Sequence, residues 1–407
     1  MKIAGVIAEY NPFHLGHAYQ LEETRRQTGA DLVVAVISSS FVQRGAPALF
    51  DVHVRAHLAL LGGADLVFAL PAANACQSAE FFAEAGVRLL DGLGCVDLLS
   101  FGSECGDLDA LERIAGILCE EPAAYREELK TRLRTGISFP AARQEALSAY
   151  LNGKGASFPE DALLLRSPNN ILGVEYLKAL RRLNSSMVPF TIPRRGSGYH
   201  DAGLSGTFPS ACAIRRALKT GGEEEQLLAG LPFAGREAFS EAVRQEGCLW
   251  EDDFSQILRW MLYRCGRREL ISVPELSPQL ADRILRLRDS FESVSQFTSL
   301  LKTRELTYTR IQRALFHLLL DIRRVPPVSF ARLVGFRREA AGALRKIKEA
   351  KTLPVLTSLA DASSILSAQA LKDLEQEVTI CHLYESLRCS RYHRSFRHEY
   401  TRQLVVL

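Results

Sequence analysis

The sequence predicts an α/β fold with a mostly parallel sheet in the first half of the chain, followed by an all-α second half. In the first half, short apolar runs alternate with segments of helical periodicity, which is the order typical of parallel strands joined by helices. From about residue 231 onwards the chain consists of amphipathic segments separated by prolines, without an internal repeat. At 407 residues, the chain is long enough for two or three domains.

Five short apolar runs are predicted to be the strands of the sheet. They are residues 2–8, 31–37, 65–70, 96–101 and 187–192. Apolar stripes at 3.6-residue spacing predict helices at residues 21–27, 54–61, 79–90 and 171–183. A mainly helical stretch at residues 107–150 and a loop at residues 153–167 are predicted to form an insertion between the last two strands, over about residues 105–168.

The composition is that of a soluble globular protein without a membrane segment. No apolar run reaches the roughly 18 residues that a membrane-spanning helix needs, and the N-terminus lacks the features of a signal peptide, so we expect a cytoplasmic protein. The nine cysteines are scattered singly without zinc-ligand spacing, which predicts reduced thiols and no metal site. The net charge of +3 does not itself indicate a nucleic-acid partner, but arginines cluster late in the chain, which favours a local phosphate-binding surface.

The most informative motif is His14-Leu15-Gly16-His17, which follows the first predicted strand. Gly16 has no Cβ, so at the start of a helix it would let a base or a phosphate approach the backbone. His14 and His17 are three residues apart and would lie on one helical face, where both could donate hydrogen bonds to one anionic group. Such a pair can stabilise the charge that develops when an α-phosphate is attacked. The alternative is a chance match in a loop, but the position directly after a strand favours a functional site.

This motif resembles the signature of the HIGH superfamily, which contains nucleotidyltransferases and class I aminoacyl-tRNA synthetases. The longer string at residues 5–17, GVIAEYNPFHLGH, is similar to the bacterial tRNA(Met) cytidine acetate ligases. Further segments extend this resemblance over most of the chain. They are Gln43-Arg44-Gly45 with Pro47, and residues 63–67, 101–104, 168–173, 196–201 and 308–313.

The resemblance implies a Rossmann-like, nucleotidyltransferase-type ATP-binding domain and a helical tRNA-binding domain. The composition shifts after Ala217 and becomes acidic at residues 223–225, so we place the boundary between residues 1–225 and 226–407. The implied enzyme forms acetyl-adenylate from ATP and acetate, and then acetylates N4 of the wobble cytidine, C34, of elongator tRNA(Met). AMP and pyrophosphate would be released, and magnesium would neutralise the leaving pyrophosphate.

The resemblance also implies the residues of the ATP site. His14 and His17 would be catalytic. The residues that would contact ATP are Ile7, Ala8, Glu9, Tyr10, Asn11, Pro12, Phe13, His14, Leu15, Gly16, His17, Ala18, Tyr19, Gln20, Gly102, Asn169 and Arg194.

Strand ends select some of the same residues, because open parallel sheets bind ligands at the carboxyl ends of their strands. Gly102 would let adenine or ribose lie against the backbone, and the alternative is a tight turn. Arg194 precedes the glycine-containing segment 196–198 and could bind a phosphate, whereas the alternative for Arg194 and Arg195 is a solvated loop. Asn169 and Asn170 open a predicted helix, so the alternative for at least one of them is an N-cap.

Two further candidates concern phosphate and magnesium. Ser210 and Arg215 begin a helix that resembles the ISSTxIR element of the superfamily, although Ala211 and Cys212 depart from it, and they could grip β- and γ-phosphates. The alternative for Ser210 is a plain N-cap. Asp65 could reach magnesium or the substrate, or it could cap the preceding loop.

A late helix is the candidate for contacting tRNA. Its buried stripe would be Ile311, Leu315 and Leu318, with Arg310, Arg313 and His317 on another face. The predicted phosphate contacts are Lys302, Arg304, Arg310 and Arg313, supported by the C-terminal arginines, and the alternative is a solvated polar face.

Two rival functions remain open. A small-molecule adenylyltransferase would use the same histidine motif without an RNA surface, and the helical second half argues against it. A noncatalytic RNA-binding module with a degenerate nucleotide fold is the other rival, and the intact histidine pair argues against that.

Overall fold

A computed structural model describes residues 1–153, 158–195 and 208–407, and within these ranges one mixed sheet of eight strands is the central element. Two very short strands form a separate antiparallel ribbon. In chain order the strands are β1 (Ile3–Ala8), β2 (Leu32–Ser38), β3 (Phe41–Val42) and β4 (Ala46–Pro47) of the ribbon, β5 (Leu66–Leu70), β6 (Leu98–Ser103), β7 (Val188–Pro193), β8 (Ala331–Phe336), β9 (Val355–Leu356) and β10 (Val405–Val406).

Helices cover the sheet and make up most of the second half. The helices of the first half are α1 (Leu15–Thr28), α2 (Val52–Leu61), α3 (Ala72–Ala75), α4 (Ala79–Gly92), α5 (Leu108–Glu120), α6 (Ala123–Leu133), α7 (Phe139–Gly153), α8 (Pro168–Arg182) and α9 (Ala211–Lys219). Those that follow are α10 (Glu224–Ala229), α11 (Arg236–Gln245), α12 (Ser255–Arg264), α13 (Arg267–Ile271), α14 (Pro278–Leu287), α15 (Val294–Leu301), α16 (Tyr308–Leu319), α17 (Ala341–Ala350), α18 (Ala362–Ile365) and α19 (Ala368–Tyr392). Among the helices of the described ranges, none combines the length and the apolar composition that crossing a lipid bilayer requires.

The five predicted strands are all present, with bounds within two residues of the predicted ones. They lie in the order β5-β2-β1-β6-β7, and all their pairings are parallel. From β1, the chain builds the sheet outward through β2 and β5 on one side, and through β6 and β7 on the other. The strand order therefore reverses beside β1, so the carboxyl ends of β1 and β6 frame the crevice in which such sheets bind ligands.

The predicted helices of the first half are also present. The helix predicted at residues 21–27 begins earlier, at Leu15, so the histidine motif lies in its first turn. The insertion between β6 and β7 contains α5, α6 and α7, as predicted. Most of the loop predicted at residues 153–167 is instead a 3-10 helix, Pro159–Arg166.

The second half is mainly helical, as predicted, but it is not all-α. Strand β8 pairs antiparallel with β5, and β9 and β10 each pair with β8. The expectation that this half holds no strand is therefore wrong, because periodicity cannot distinguish so short an apolar run from a buried helical segment. The division at residues 225 and 226 stays a prediction, although strands of the second half complete the sheet of the first.

Apolar side chains form a core on each face of the sheet and a third core among the helices of the second half. The third core also includes Phe41 and Cys76 from the first half. Helix α19 is fixed to the first half by Tyr384, whose hydroxyl donates to the carbonyl oxygen of Ala48 at 2.9 Å. The helices of the second half are thus packed directly against the edge of the sheet where the ligand crevice lies.

Candidate active site

The carboxyl ends of β1 and β6 open into a cavity of about 660 Å³. Most of the predicted ATP contacts line it, namely Ile7, Ala8, Glu9, Tyr10, Asn11, His14, His17, Gln20, Gly102, Asn169 and Arg194. The remaining ones belong to the same turn and first helix but do not line the cavity. They are Pro12, Phe13, Leu15, Gly16, Ala18 and Tyr19.

His14 and His17 hold each other in place at the start of α1. The Nδ1 atom of His14 accepts a hydrogen bond from the backbone N–H of Gly16 at 3.0 Å, and Nδ1 of His17 accepts one from the backbone N–H of His14 at 3.3 Å. The two rings stack, with centroids 3.8 Å apart. Because Nδ1 accepts in both rings, a neutral imidazole must carry its proton on Nε2. Each histidine therefore offers one Nε2–H donor at the cavity.

The surroundings keep both imidazoles neutral. Burial, together with the positive charges of Arg194 and Arg215, lowers the pKa of His14 to about 3. Burial, His14 and Arg194 hold the pKa of His17 well below its usual range. At neutral pH the pair thus donates hydrogen bonds without carrying charge, and the positive charge of the site comes from the arginines.

Gly16 has a different role from the predicted one. A Cβ at this position would lie 2.8 Å from Cε1 of His14. The space that the glycine leaves is therefore filled by the imidazole that its own N–H caps. The predicted approach of a base or phosphate to this backbone is therefore wrong, because the His14 ring already occupies the space.

Gly102 lies inside β6, so the tight-turn alternative is wrong. A Cβ there would lie 3.3 Å from Cγ of Arg194, whose backbone N–H donates to the carbonyl oxygen of Ser103 at 2.9 Å. The absence of a side chain at Gly102 thus lets Arg194 lie across the end of β6. The segment 196–201, which the sequence analysis placed after Arg194, lies outside the described residues.

Neither Asn169 nor Asn170 is an N-cap, because α8 is preceded by Ser167 in that position. Glu104 accepts hydrogen bonds from Nδ2 of Asn169 at 2.7 Å and from the backbone N–H of Asn170 at 2.8 Å. In return, Oδ1 of Asn170 accepts from the backbone N–H groups of Glu104 and Cys105, at 2.9 and 3.2 Å. These bonds join the end of β6 to the start of α8 and place Asn169 at the cavity.

Ser210 and Arg215 both line the cavity, as do Ala211 and Cys212. The N-cap alternative for Ser210 is confirmed, since its Oγ accepts from the backbone N–H of Ala213 at 3.2 Å. Arg215 donates to the carbonyl oxygen of Asn11 at 2.5 Å, so it ties α9 to the turn that follows β1.

Asp65 does not reach the site. It immediately precedes β5, at the amino edge of the sheet, where it forms an ion pair with Arg25 and accepts a hydrogen bond from the backbone N–H of Val33 at 2.6 Å. The predicted contact with magnesium or substrate is wrong, because the cavity opens at the opposite, carboxyl edge of the strands.

Arg55 is a site-organising residue that the sequence analysis missed. Its side chain is fully buried, and its guanidinium donates to the carbonyl oxygens of Glu9 at 2.8 Å, Phe50 at 3.0 Å and Ser39. It thereby joins the segments that follow β1 and β2. An arginine within an amphipathic helical pattern gives no sequence signal of such burial.

The predicted tRNA contacts fall into two groups. Lys302 and Arg304 are exposed, whereas Arg310 and Arg313 line the cavity beside the ATP contacts. Arg313 forms a two-point ion pair with Glu275, with N–O distances of 2.9 and 3.0 Å, so its charge is already compensated.

The rest of α16 is partly as predicted. Ile311, Leu315 and Leu318 are fully buried. His317 is buried as well, and its Nδ1 lies 3.3 Å from the carbonyl oxygen of Pro274. Its Nε2 lies 2.5 Å from the carbonyl oxygen of Cys76, so that side of the helix packs against the first half and the predicted position on a polar face is wrong.

Of the four C-terminal arginines, Arg388 is buried, Arg397 is partly exposed, and Arg391 and Arg394 are exposed. Arg388 pairs with Glu246 at 2.7 Å and with Glu385 at 2.6 Å, and Arg397 joins the same two carboxylates. Arg391 pairs with an aspartate of the second half. The ion pairs of Arg388 and Arg397 stabilise the packing of α19, so these two charges are already compensated. Contact of the exposed Arg391 and Arg394 with RNA stays a prediction.

A doubly wound sheet whose first strand ends at a neutral histidine pair, with arginines in the same cavity, defines an α/β nucleotidyltransferase. The family model for HIGH Nucleotidyl Transferase matches residues 1–398. The tRNA(Met) cytidine acetate ligase of Acetivibrio thermocellus is 35% identical, and the match covers 100% of both chains. That of Clostridium tetani is 39% identical over 88% of this chain and 91% of its own. The chain belongs to the tRNA(Met) cytidine acetate ligase family of the HIGH nucleotidyltransferases.

Solved structures agree with this assignment over the whole chain. The apo form of Thermotoga maritima TmcAL has a TM-score of 0.94 and 29% identity, and covers 100% of both chains. The same protein bound with alpha-thio ATP has a TM-score of 0.92 and 28% identity at the same coverage.

Proposed function

We propose that this protein activates acetate with ATP as acetyl-adenylate and transfers the acetyl group to N4 of C34 of elongator tRNA(Met), releasing AMP and pyrophosphate. The observation that carries the proposal is the pair of Nε2–H donors of His14 and His17, which shares its cavity with Arg194 and Arg215. The names of the relatives supply the carboxylate and the acceptor. Because the acceptor is a tRNA, we place the enzyme in the cytoplasm.

In the first step, a carboxylate oxygen of acetate attacks the α-phosphorus of ATP, and the bond to the bridging oxygen of the β-phosphate breaks. Pyrophosphate leaves with the electron pair of that bond. Negative charge grows on the phosphate oxygens, where two neutral Nε2–H donors and two guanidinium groups can stabilise it without rearranging. One such donor is typically worth about 10²–10³-fold in rate.

The residues of this site fit a magnesium ion only when the ion is bound by the triphosphate. Among the described residues, no group of three or more His, Cys, Asp and Glu side chains is arranged to hold a metal ion. A magnesium ion would therefore be bound mainly by phosphate oxygens and water, as is usual for this ion, and would supply charge neutralisation. The protein's own contribution at the phosphates remains that of its histidines and arginines.

In the second step, the cytosine N4 amine attacks the acetyl carbonyl carbon, the bond from that carbon to the AMP oxygen breaks, and the amine loses a proton. The base must leave the anticodon stack to reach the cavity, which suits recognition of an RNA loop. The exposed side chains of Lys302 and Arg304 support contact with the RNA backbone.

The test is to incubate the purified protein with ATP, acetate and tRNA(Met), leaving out each in turn, and to measure AMP and acetylcytidine by mass spectrometry. We expect acetylcytidine only when all three are present. AMP formation that depends on acetate, without any acetylcytidine in intact tRNA(Met), would contradict the proposed acceptor.

A further inference from the structure

The cavity is lined by helices from both faces of the sheet. His14, His17 and Ser210 belong to the starts of α1 and α9, which pack on one face. The starts of α4 and α7, together with α8, pack on the other face and form the second wall, which carries Phe81 and Phe139. The first wall holds hydrogen-bond donors and cations, whereas the second carries the two aromatic rings beside the ion-paired charges of Glu80, Arg143 and Glu175.

The two phenylalanines are unusually exposed for residues at a cavity. Phe81 is 48% exposed and Phe139 is 49% exposed. Each lies in the first turn of its helix, so each ring stands at an end of the helix instead of within a core. Large apolar side chains left exposed at the wall of a cavity are typical of a ligand surface.

The helices that carry these rings are fixed by ion pairs of low exposure. Arg143 of α7 pairs with Glu175 of α8, and Lys178 pairs with Glu175 at 2.7 Å and with Glu80 of α4 at 3.2 Å. The Glu175 and Lys178 side chains are only 1% and 6% exposed. Buried ion pairs contribute little net stability, but they fix geometry. Glu80 and Arg143 lie one and four residues from the rings, so the ion pairs hold the aromatic wall in place.

The geometry of the first step places the leaving pyrophosphate and the new acetyl group at different walls of the cavity. In an in-line displacement, the attacking acetate and the leaving pyrophosphate lie on opposite sides of the α-phosphorus. Because the pyrophosphate needs the donors of α1 and α9, the acetyl group must form towards the second wall. Its acceptor must therefore approach from that side.

We propose that Phe81 and Phe139 stack the cytosine that is acetylated. This inference rests on the proposed function, which supplies the acceptor. An unpaired base is uncharged and flat, and RNA-binding proteins commonly hold such bases by stacking on aromatic side chains. The insertion between β6 and β7 would thus help to hold the acceptor base, because its helix α7 brings Phe139 and Arg143 to the cavity.

The test compares two half-reactions in F81A and F139A. We expect acetate-dependent ATP–pyrophosphate exchange, measured without RNA, to stay within about two-fold of wild type. The kcat/KM for acetylcytidine formation in tRNA(Met) should fall by roughly 5- to 100-fold for each ring, as for the loss of one base–aromatic stack. F139Y should retain transfer, whereas F139L, which is apolar but not flat, should lose it. The control is F233A, which removes a phenylalanine that is 86% exposed and does not line the cavity, and it should leave both reactions unchanged.

Equal losses in exchange and transfer would assign the rings to ATP or to the fold, and would overturn the proposal. Unchanged transfer in both alanine variants would overturn it as well. A wild-type enzyme that catalyses exchange but makes no acetylcytidine would contradict the proposed function itself. That result concerns the wild type alone, so it is distinguished from any effect of the variants.

Discussion

Each histidine of the pair divides two tasks between its ring nitrogens. Nδ1 accepts a hydrogen bond at the start of α1, and Nε2 is the proposed donor to the phosphate. His14→Asn separates the tasks, because the amide oxygen can replace Nδ1 as the acceptor while nothing replaces the Nε2–H donor. We expect acetate-dependent exchange to fall by about 10²–10³-fold with little change in thermal stability.

The matched variants are His14→Ala and His14→Gln. Alanine should lose the donor and also about 1 kcal/mol of stability, because the cap is gone. Glutamine should lose the cap but can place an amide N–H near the Nε2 position, so it should keep more exchange activity than asparagine. Full exchange activity in the asparagine variant would show that Nε2 is not the donor.

The lowered pKa of His14 predicts how stability depends on pH. The folded state keeps this imidazole neutral down to about pH 3, whereas in the unfolded chain it titrates near its usual value of 6.5. Between these values the unfolded state binds more protons, so the stability that is present above pH 6.5 is lost as the pH falls towards 3. The Tm should therefore decrease between pH 7.5 and 5, and less steeply in His14→Asn, as followed by scanning calorimetry. Equal slopes in the two proteins would contradict the depressed pKa.

The residues that could be predicted from sequence are those whose role is encoded locally. The order of strand, histidine motif and helix is contiguous, so His14 and His17 were placed correctly at the cavity. The roles of Gly16 and Asn170 depend on which side chain folds back onto the backbone, and the role of Arg55 depends on carbonyl oxygens from distant segments. Composition and spacing carry no information about such contacts.

Among the structural elements, buried parallel strands were the easiest to predict, because each is a continuous apolar run bounded by polar residues. The motif at Gly16 was correctly predicted to start a helix, whereas the apolar stripe marked only residues 21–27, because the first turn of α1 has no such stripe. Strand β8 was missed because its partner β5 lies more than 250 residues earlier in the chain. Pairing over such a distance leaves no local pattern.

The ribbon of β3 and β4 meets α16 at Gly45, and this contact predicts a stability difference. Gly45 has φ +71°, and a Cβ there would lie 2.5 Å from Cα of Arg313. Gly45→Ala should lower the free energy of unfolding by about 2–4 kcal/mol, which combines backbone strain with overpacking. Gly29 has φ +66° and nothing within 4 Å of the added Cβ, so Gly29→Ala should cost only about 1 kcal/mol. Equal losses in denaturant unfolding would show that the contact with α16 does not matter.

At the scale of the whole molecule, both halves build the cavity and the sheet. Thr307, Thr309 and Arg310 of the second half line the same cavity as the histidine pair. Glu377 of α19 is buried, and its carboxylate accepts a hydrogen bond from the backbone N–H of Ala72 at 2.6 Å. The second half is therefore not a separate module, and RNA bound to it as proposed would lie close to the ATP cavity.

We therefore expect the loop between α15 and α16 to contact the RNA backbone. Lys302 and Arg304 are exposed there, and the next residues of the loop, Glu305 and Thr307, line the cavity. Charge reversal of both, K302E/R304E, should weaken tRNA(Met) binding at least ten-fold and reduce the salt dependence of log Kd by about two, since two phosphate contacts are lost. Exchange without RNA should be unchanged.

The matched control is R345E/K348E, which makes the same change in net charge on α17. That helix lies at the amino edge of the sheet, where Lys346 donates to the carbonyl oxygen of Met1 at 3.2 Å, so it is remote from the cavity. Both proteins are compared by filter binding over a range of salt concentrations. If the two pairs weakened binding equally, only net charge would matter, because long-range repulsion does not depend on which surface carries it. A loss confined to K302E/R304E would place the RNA backbone at the cavity mouth, as the acceptor base requires.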